Sequence, residues 1–196
     1  MTYIIVGLGN PGKEYEKTRH NVGRILIESF RKKNNLPEWE NEKKKGFLIS
    51  KGDIDEYKVA LILPELFMNK SGVSIKSIIT SKNKAEKLIV VHDDIDLGFL
   101  NHKISFGRGS AGHRGLESII KAIGTKDFIR VRVGVSPTTP SGKIKKPKGE
   151  KRVLDFLMGD FSKKEMESIP KITNNVKKIL ETIVKEGRVS AMNIHN

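Results

Sequence analysis

Apolar residues along the chain fall into two patterns. Continuous runs at Tyr3 to Val6, Phe47 to Ile49, Val59 to Leu63, Leu88 to Val91 and Phe128 to Val135 have the length and β-branched content of strands, several of them buried on both faces. Elsewhere apolar positions recur at helical spacing: Val22, Ile25, Leu26 and Phe30 after a polar turn; Val73, Ile75, Ile78 and Ile79 after Ser71-Gly72, with Ser71 as prospective cap; and Leu116, Ile119, Ile120 and Ile123 after Gly115. Strands alternating with helices predict an α/β fold. Phe47 to Ile49 and Val59 to Leu63, joined around Gly52-Asp53, predict a hairpin and so a mixed sheet. A last amphipathic helix is predicted from about Lys163 to Lys185 through Ile169, Ile172, Val176, Ile179, Leu180 and Ile183, with Pro170 kinking or breaking it early. Ser136 to Glu150 holds three prolines, two glycines and four lysines with hardly an apolar anchor, and reads as a mobile surface loop.

Composition narrows the class. A chain of 196 residues suits one domain with a sizeable core and is too short for two comfortable ones. The absence of cysteine removes disulfides and thiolate metal sites and points to a reducing compartment. The first residues begin a strand rather than a secretory leader, and no apolar run approaches the length that spans a bilayer. A soluble cytoplasmic protein with no membrane partner is expected, and nothing calls for more than a monomer. Lys plus Arg is 37 against 23 for Asp plus Glu, a net charge of +14 that favours a polyanionic partner, nucleic acid first. A solvated basic surface has the same composition, so the distribution of the charge must decide.

Several local constellations carry chemistry. Gly7-x-Gly9-x-x-Gly12 after the first strand has the spacing of a dinucleotide fingerprint, which sets pyrophosphate on the next helix's N-terminus. Pro11 stiffens that turn, Tyr15 to Asn21 interposes a polar stretch, and no second strand ends in an acid at the required distance. Nucleotide binding is therefore disfavoured, and the glycines are read as positioning Asn10 at the sheet's carboxyl edge. His20, between Arg19 and Asn21 at a helix start, can accept a proton near neutral pH, although a capping or surface histidine has the same local sequence.

Leu88-Ile-Val-Val-His-Asp-Asp-Ile-Asp96 shifts that balance. A buried strand is expected to end at His92 and deliver Asp93, Asp94 and Asp96 into the crevice that the first turn faces. One acid can orient His20 through its second ring nitrogen; a divalent metal site and a plain solvated turn remain open. Pro64-Glu-Leu-Phe-Met-Asn-Lys-Ser-Gly72 places Asn69 before a helix, as a turn former or as a donor to a developing oxyanion. Phe106-Gly-Arg-Gly-Ser-Ala-Gly-His-Arg-Gly115 suits either a flexible hairpin end or an anion site of backbone N–H and guanidinium groups. Lys103, Arg108 and Arg114, followed by Lys143, Lys145, Lys146, Lys148, Lys151 and Arg152, make two basic runs and favour the nucleic-acid reading.

Taken together, Gly-Leu-Gly-Asn-Pro-Gly, Thr-Arg-His-Asn-Val-Gly, Phe-Met-Asn-Lys-Ser-Gly, His-Asp-Asp-Ile-Asp and Ser-Ala-Gly-His-Arg-Gly-Leu resemble the bacterial-type peptidyl-tRNA hydrolase family in order and spacing along nearly the whole chain. Arg130-Val-Arg-Val-Gly134 and Val153-Leu-Asp-Phe-Leu look like the family's later strand and the segment opening its C-terminal helices. The resemblance implies a single three-layer α/β/α domain over 1–196 around a twisted, mixed, mostly parallel sheet, with the basic loop at 136–150 and a helical segment at 151–190. It also implies cleavage, without metal or cofactor, of the ester joining a peptide's carboxyl end to a tRNA's 3′ ribose, with peptidyl-tRNA as partner. By position, His20 is the implied general base, Asp93 its orienting carboxylate, and Asn10 and Asn69 the amides that hold peptide, water or oxyanion. Tyr15, Phe67, Met68, His113 and Arg114 fall at the implied substrate site. Lys103, Arg108, Arg132, Lys143, Lys145 and Lys146 are the implied tRNA contacts.

One position departs from the pattern. Where the family's Gly-Gly-His-Asn-Gly motif has an asparagine that helps form the substrate channel, this chain has Arg114, and Ala111 replaces a usual glycine. Arginine cannot accept a hydrogen bond, so a role for the asparagine carbonyl does not transfer; an RNA phosphate or the ribose end suits arginine instead. The rival readings are an RNA-binding member without catalysis and a metal or nucleotide enzyme using the aspartates. A chain kept only to bind RNA would be free to lose His20, Asp93, Asn10 or Asn69, and all four are present.

Overall fold

The computed structural model describes residues 2–196. In chain order its elements are β1 (Tyr3–Gly7), α1 (Val22–Lys33), β2 (Glu40–Glu42), β3 (Phe47–Ile54), β4 (Tyr57–Pro64), α2 (Ser71–Lys76), α3 (Lys82–Ala85), β5 (Leu88–Gly98), β6 (His102–Phe106), α4 (Arg114–Ile123), β7 (Ile129–Ser136), α5 (Glu150–Met158), α6 (Lys163–Glu186) and α7 (Arg188–His195). Among the described residues seven strands form one sheet in the order β2-β3-β4-β1-β5-β7-β6. The central strands β4, β1, β5 and β7 run parallel, and antiparallel β2, β3 and β6 lie at the margins.

Alternation within the apolar runs produces the layers. Ile5, Leu61, Ile89 and Val91 join a core with Leu26, Ile27 and Phe30 of α1 and Ile172, Val176, Ile179 and Ile183 of α6. Ile4, Val6, Ile62 and Val90 face the other way, toward Ile75 of α2 and Leu116 and Ile119 of α4. Both faces of the central strands are thereby covered, which is why they read as continuous apolar runs. Each such side chain contributes about 1.5–3 kcal/mol on burial.

A close helix–sheet approach lies beside the candidate site. A Cβ on Gly23, in the first turn of α1, would stand 2.2 Å from the Val91 carbonyl oxygen, and one on Gly7 would stand 2.6 Å from the Gly23 carbonyl oxygen. Only glycine permits this contact, which presses the start of α1 onto the end of β1 and the middle of β5. Two short 3-10 turns, Lys13–Tyr15 and Arg19–Asn21, separate β1 from α1. The glycine turn therefore does not open a helix, as a dinucleotide site would require.

Several boundaries differ from expectation. β5 does not end at His92 but continues to Gly98, pairing with β7 as far as Asp94 and, after an irregularity, at Gly98. The hairpin turns at Asp55-Glu56 rather than Gly52-Asp53, since Gly52 pairs within the ladder and a Cβ there would meet Leu36 at 2.6 Å. Ser71 is the first residue of α2 rather than its cap, and its hydroxyl donates to the Met68 carbonyl at 2.8 Å. Pro170 lies inside α6 without ending it; a reciprocal Ser162–Glu165 capping box starts that helix. The loop between β7 and α5 folds back on itself, with Lys145 N–H donating to the Pro137 carbonyl at 2.8 Å. β2 and β6 were not foreseen as elements, whereas α5 falls where residues 153–157 were expected to open the C-terminal helices.

Candidate active site

The site is assembled at the carboxyl end of β1 and midway along β5. The Asn10 N–H donates to Asn21 Oδ1 at 2.8 Å, and Asn21 Nδ2 donates back to the Asn10 carbonyl at 2.9 Å, tying the glycine turn to the start of α1. Arg19 fastens the same segment from the other side. Its guanidinium donates to Glu165 at 2.9 Å and to the Gly159 carbonyl at 3.3 Å, and lies over the Phe156 ring at 4.6 Å. His20 is thus held between α1 and the α5–α6 junction.

Asp93 is the hub. His20 Nδ1 lies 2.9 Å from Asp93 Oδ1, and His113 Nε2 lies 3.0 Å from the same oxygen. His113 is also the N-cap of α4, its Nδ1 accepting from the Gly115 N–H at 3.1 Å and the Leu116 N–H at 3.3 Å. An accepting nitrogen carries no proton, so this pattern assigns the proton of neutral His113 to Nε2, donating to Asp93. With Nδ1–H of His20 also donating to Asp93, the lone pair left free is on His20 Nε2. His92 completes the cluster beneath: its Nδ1 donates to the Asp93 carbonyl at 2.7 Å, and its ring meets that of His113 edge-on at 4.8 Å.

The electrostatics follow from burial. Burial opposes the charged form of Asp93, but the charges of His20 and His113 and their hydrogen bonds outweigh it and hold the carboxyl below the usual carboxylate range. Burial likewise works against protonated His20, and the Asp93 carboxylate more than offsets it, leaving the His20 pKa raised; the charge of Arg114 acts in the opposite sense. His92 is pushed down to about 3, by burial first and by His113 second, and stays neutral.

His20, Asp93 and His113 bring donor atoms within 4.8 Å of one another, as a metal site would. Here the nitrogens facing Asp93 carry the protons they donate, and the other nitrogen of His113 is occupied by the α4 backbone. The set fits a proton-linked network rather than an ion. Of the neighbouring acids, Asp94 accepts from Arg132 Nε at 2.6 Å and Asp96 pairs with Lys146.

A cavity of about 500 Å³ opens over this cluster, lined by His20, Asp93, His113 and Arg114 on one side and Ile95, Val153, Leu154 and Leu157 on the other. A second, of about 410 Å³, holds Lys103, Ser105, Arg108, Arg130 and Arg132, and shares His92, Asp94, Ser110 and Ala111 with the first. Buried atoms His92 Nε2, Ser105 Oγ and Arg130 Nε have no hydrogen-bond partner among the described residues.

The family model described as peptidyl-tRNA hydrolase matches residues 4–196. The chain belongs to the peptidyl-tRNA hydrolase family. It is 37% identical over 196 residues to the peptidyl-tRNA hydrolase of Syntrophotalea carbinolica, covering 98% of this chain and 96% of that one. With that of Rickettsia canadensis it shares 40% over 188 residues, 93% of this chain and 96% of the relative. The crystal structure of the peptidyl-tRNA hydrolase from Acinetobacter baumannii superposes with a TM-score of 0.86 at 29% identity, covering 100% of this chain and 94% of that one. No helix among the described residues is long and apolar enough to cross a membrane.

Against this peptidyl-tRNA hydrolase frame the anticipated residues separate into groups. His20, Asp93, His113 and Arg114 meet at the first cavity. Asn10 and Met68 are not among its lining residues but are joined to each other: Asn10 Oδ1 accepts from the Met68 N–H at 2.8 Å, and the Met68 sulfur would lie 2.5 Å from a Cβ on Gly115. Asn69 is exposed on the Met68–Lys70 turn and does not line the cavity. Tyr15 packs edge-on against the exposed Phe67 ring at 6.3 Å. Lys103, Arg108 and Arg132 line the second cavity, whereas Lys143 and Lys145 lie on the exposed loop.

The anion site of backbone N–H groups at the start of α4 is not available as expected, because His113 already caps Gly115 and Leu116. Sequence reasoning missed His113 as a cap, Asn21, and the buried Arg130, whose pKa falls to about 10 through burial and then the charge of Arg132. A histidine followed by Arg-Gly-Leu at a helix start was the signal for the first.

Proposed function

We propose that this chain, a peptidyl-tRNA hydrolase by family, cleaves the ester between peptide and tRNA 3′ ribose with His20 as general base. The observation that carries this reading is the double occupation of Asp93 Oδ1: with His113 committed to α4 and Asp93, His20 Nε2 is left as the basic lone pair beside the cavity. Nε2 takes a proton from water as the water oxygen attacks the ester carbonyl carbon. Asp93 stabilises the imidazolium. As the tetrahedral intermediate collapses, the bond from carbonyl carbon to ribose oxygen breaks, and the proton passes from His20 to that oxygen. A positioned base contributes roughly 10²- to 10⁴-fold.

Asn10 has its side-chain carbonyl fixed by the Met68 N–H, and its Nδ2, which donates to the Met158 sulfur at 3.9 Å in the free protein, is what it offers to peptide, water or oxyanion. Asn69, exposed beside Met68, supplies a second amide, and Met68 with the Tyr15–Phe67 pair lines the peptide path. Lys103, Arg108 and Arg132 with the loop lysines Lys143, Lys145 and Lys146 contact the tRNA backbone; the two of these already paired with Asp94 and Asp96 exchange partners on binding. The test is release of N-acetylamino acid from N-acetylaminoacyl-tRNA in excess EDTA by wild type and His20→Ala. Turnover by wild type alone is expected, with tRNA binding retained in the variant. Activity lost in EDTA and restored by a divalent ion overturns the reading.

A further inference from the structure

Arg114 is the first residue of α4 and Glu150 the first of α5, and their side chains meet at 2.7 Å across the cavity that holds His20. We propose that Arg114 is a substrate-contacting residue held in reserve by Glu150: the pair bridges one side of the cleft in the free protein, and a phosphodiester of the tRNA acceptor end takes the carboxylate's place when substrate enters. This rests on the reading of the chain as acting on peptidyl-tRNA.

Three observations support the exchange. First, Arg114 is the single Arg or Lys among the described residues lining the cavity, where Asp96, Glu117 and Glu150 also stand. A phosphate could not approach those carboxylates without a cation. The other donors are spent, since His113 has both ring nitrogens engaged and the Ser110 hydroxyl donates to Glu117 at 3.1 Å. Second, the side chains of Arg114 and Glu150 are 51% and 85% exposed, so water and salt weaken the pair and it is cheap to break. Third, both ends of the exchange are favourable. A guanidinium offers phosphate the same parallel N–H donors that it offers a carboxylate, and the released Glu150 stays at the N-terminus of α5, where negative charge is stabilised.

The test compares KM, kcat and the salt dependence of KM for N-acetylaminoacyl-tRNA, together with affinity for uncharged tRNA, in wild type, Arg114→Gln, Glu150→Gln and the double exchange Arg114→Glu/Glu150→Arg. Arg114→Gln is expected to raise KM about fivefold or more and to reduce the slope of log KM against log salt by about one. Glu150→Gln is expected to lower KM about two- to threefold, the scale of an exposed pair. The double exchange rebuilds the ion pair but leaves the cation on the wrong helix, so its KM should stay at least as high as that of Arg114→Gln. Restoration of wild-type KM by the double exchange would make the pair a helix tether and overturn the proposal. So would an Arg114→Gln loss confined to kcat, which would assign Arg114 to the transition-state oxyanion instead. If wild type fails to cleave, the functional reading fails, and the variants' affinities for uncharged tRNA still decide the exchange.

Discussion

The two adjoining cavities treat their polar groups in opposite ways. Around Asp93 the nitrogens of His20 and His113 are matched donor to acceptor, and the one left free on these two rings is His20 Nε2. Across the shared wall, His92 Nε2, Ser105 Oγ and Arg130 Nε are buried without protein partners, amid Lys103, Arg108 and Arg132. An unmet buried polar atom costs about 1–3 kcal/mol, and these three atoms are closed off from solvent while Lys103, Arg108 and Arg132 line the cavity. The hydrogen bonds around His20 and Asp93 are made by the protein's own groups, whereas the second cavity holds polar atoms that no described protein group fixes.

Asp93→Asn strikes the contrast at its strongest point. Turnover is expected to fall about 10²-fold or more, because the group that orients and stabilises His20 is lost. The acidic limb of kcat/KM should also move to lower pH. Asp93 raises the His20 pKa and the base works only when neutral, so without the carboxylate His20 sheds its proton earlier as pH rises. A pH–rate profile whose limb stays in place would separate His20 from Asp93.

His113→Ala tests the same network from the structural side. Losing the cap of α4 should cost about 1–2 kcal/mol, a fall in Tm of about 2–4 °C per kcal/mol in a domain of this size, with a smaller loss of kcat than Asp93→Asn. An unchanged melting curve would contradict the cap.

On the other side of the wall, Lys103→Ala with Arg108→Ala should weaken tRNA binding and reduce its salt slope by about two, one per cation, while leaving kcat nearly alone. Filter-binding titrations across salt concentrations read this directly, and an unaltered slope would remove both residues from the RNA contact. Smallest of all, Ser105→Ala should stabilise the free protein by up to about 1 kcal/mol, since its hydroxyl is buried unmet. Destabilisation in a urea titration would mean that solvent already completes that hydroxyl.

Much of the first region was legible in the sequence because its parts are local or strictly ordered: a glycine turn after a strand, a histidine at a helix start, an acid following an apolar run. The less legible parts depend on what lies across the fold. Gly52 reads as a turn residue until Leu36 is seen occupying the space of its missing side chain. His92 reads as a strand end, yet β7 pairs onward to Asp94 and keeps the chain extended. β6 was hidden because its buried residues, Ile104 and Ser105, are adjacent rather than alternating and only one of them is apolar, beside a glycine-rich stretch that reads as loop. The partnering of Arg132 with Asp94 likewise needed the sheet register, and that of Lys146 with Asp96 needed the path of the loop between β7 and α5. Charge runs along a sequence give the number of cations, not which of them are free.

The contact at Gly23 sets a tolerance on the chemistry. A single methyl group there would collide with the carbonyl of Val91, two residues before Asp93, and with the backbone of Leu8, two residues before Asn10. Relief would lift α1 and carry with it the turn that bears His20. The distance from base to carboxylate is therefore machined by a residue that has no side chain, and the finest adjustment of this active site is the thickness of a hydrogen atom.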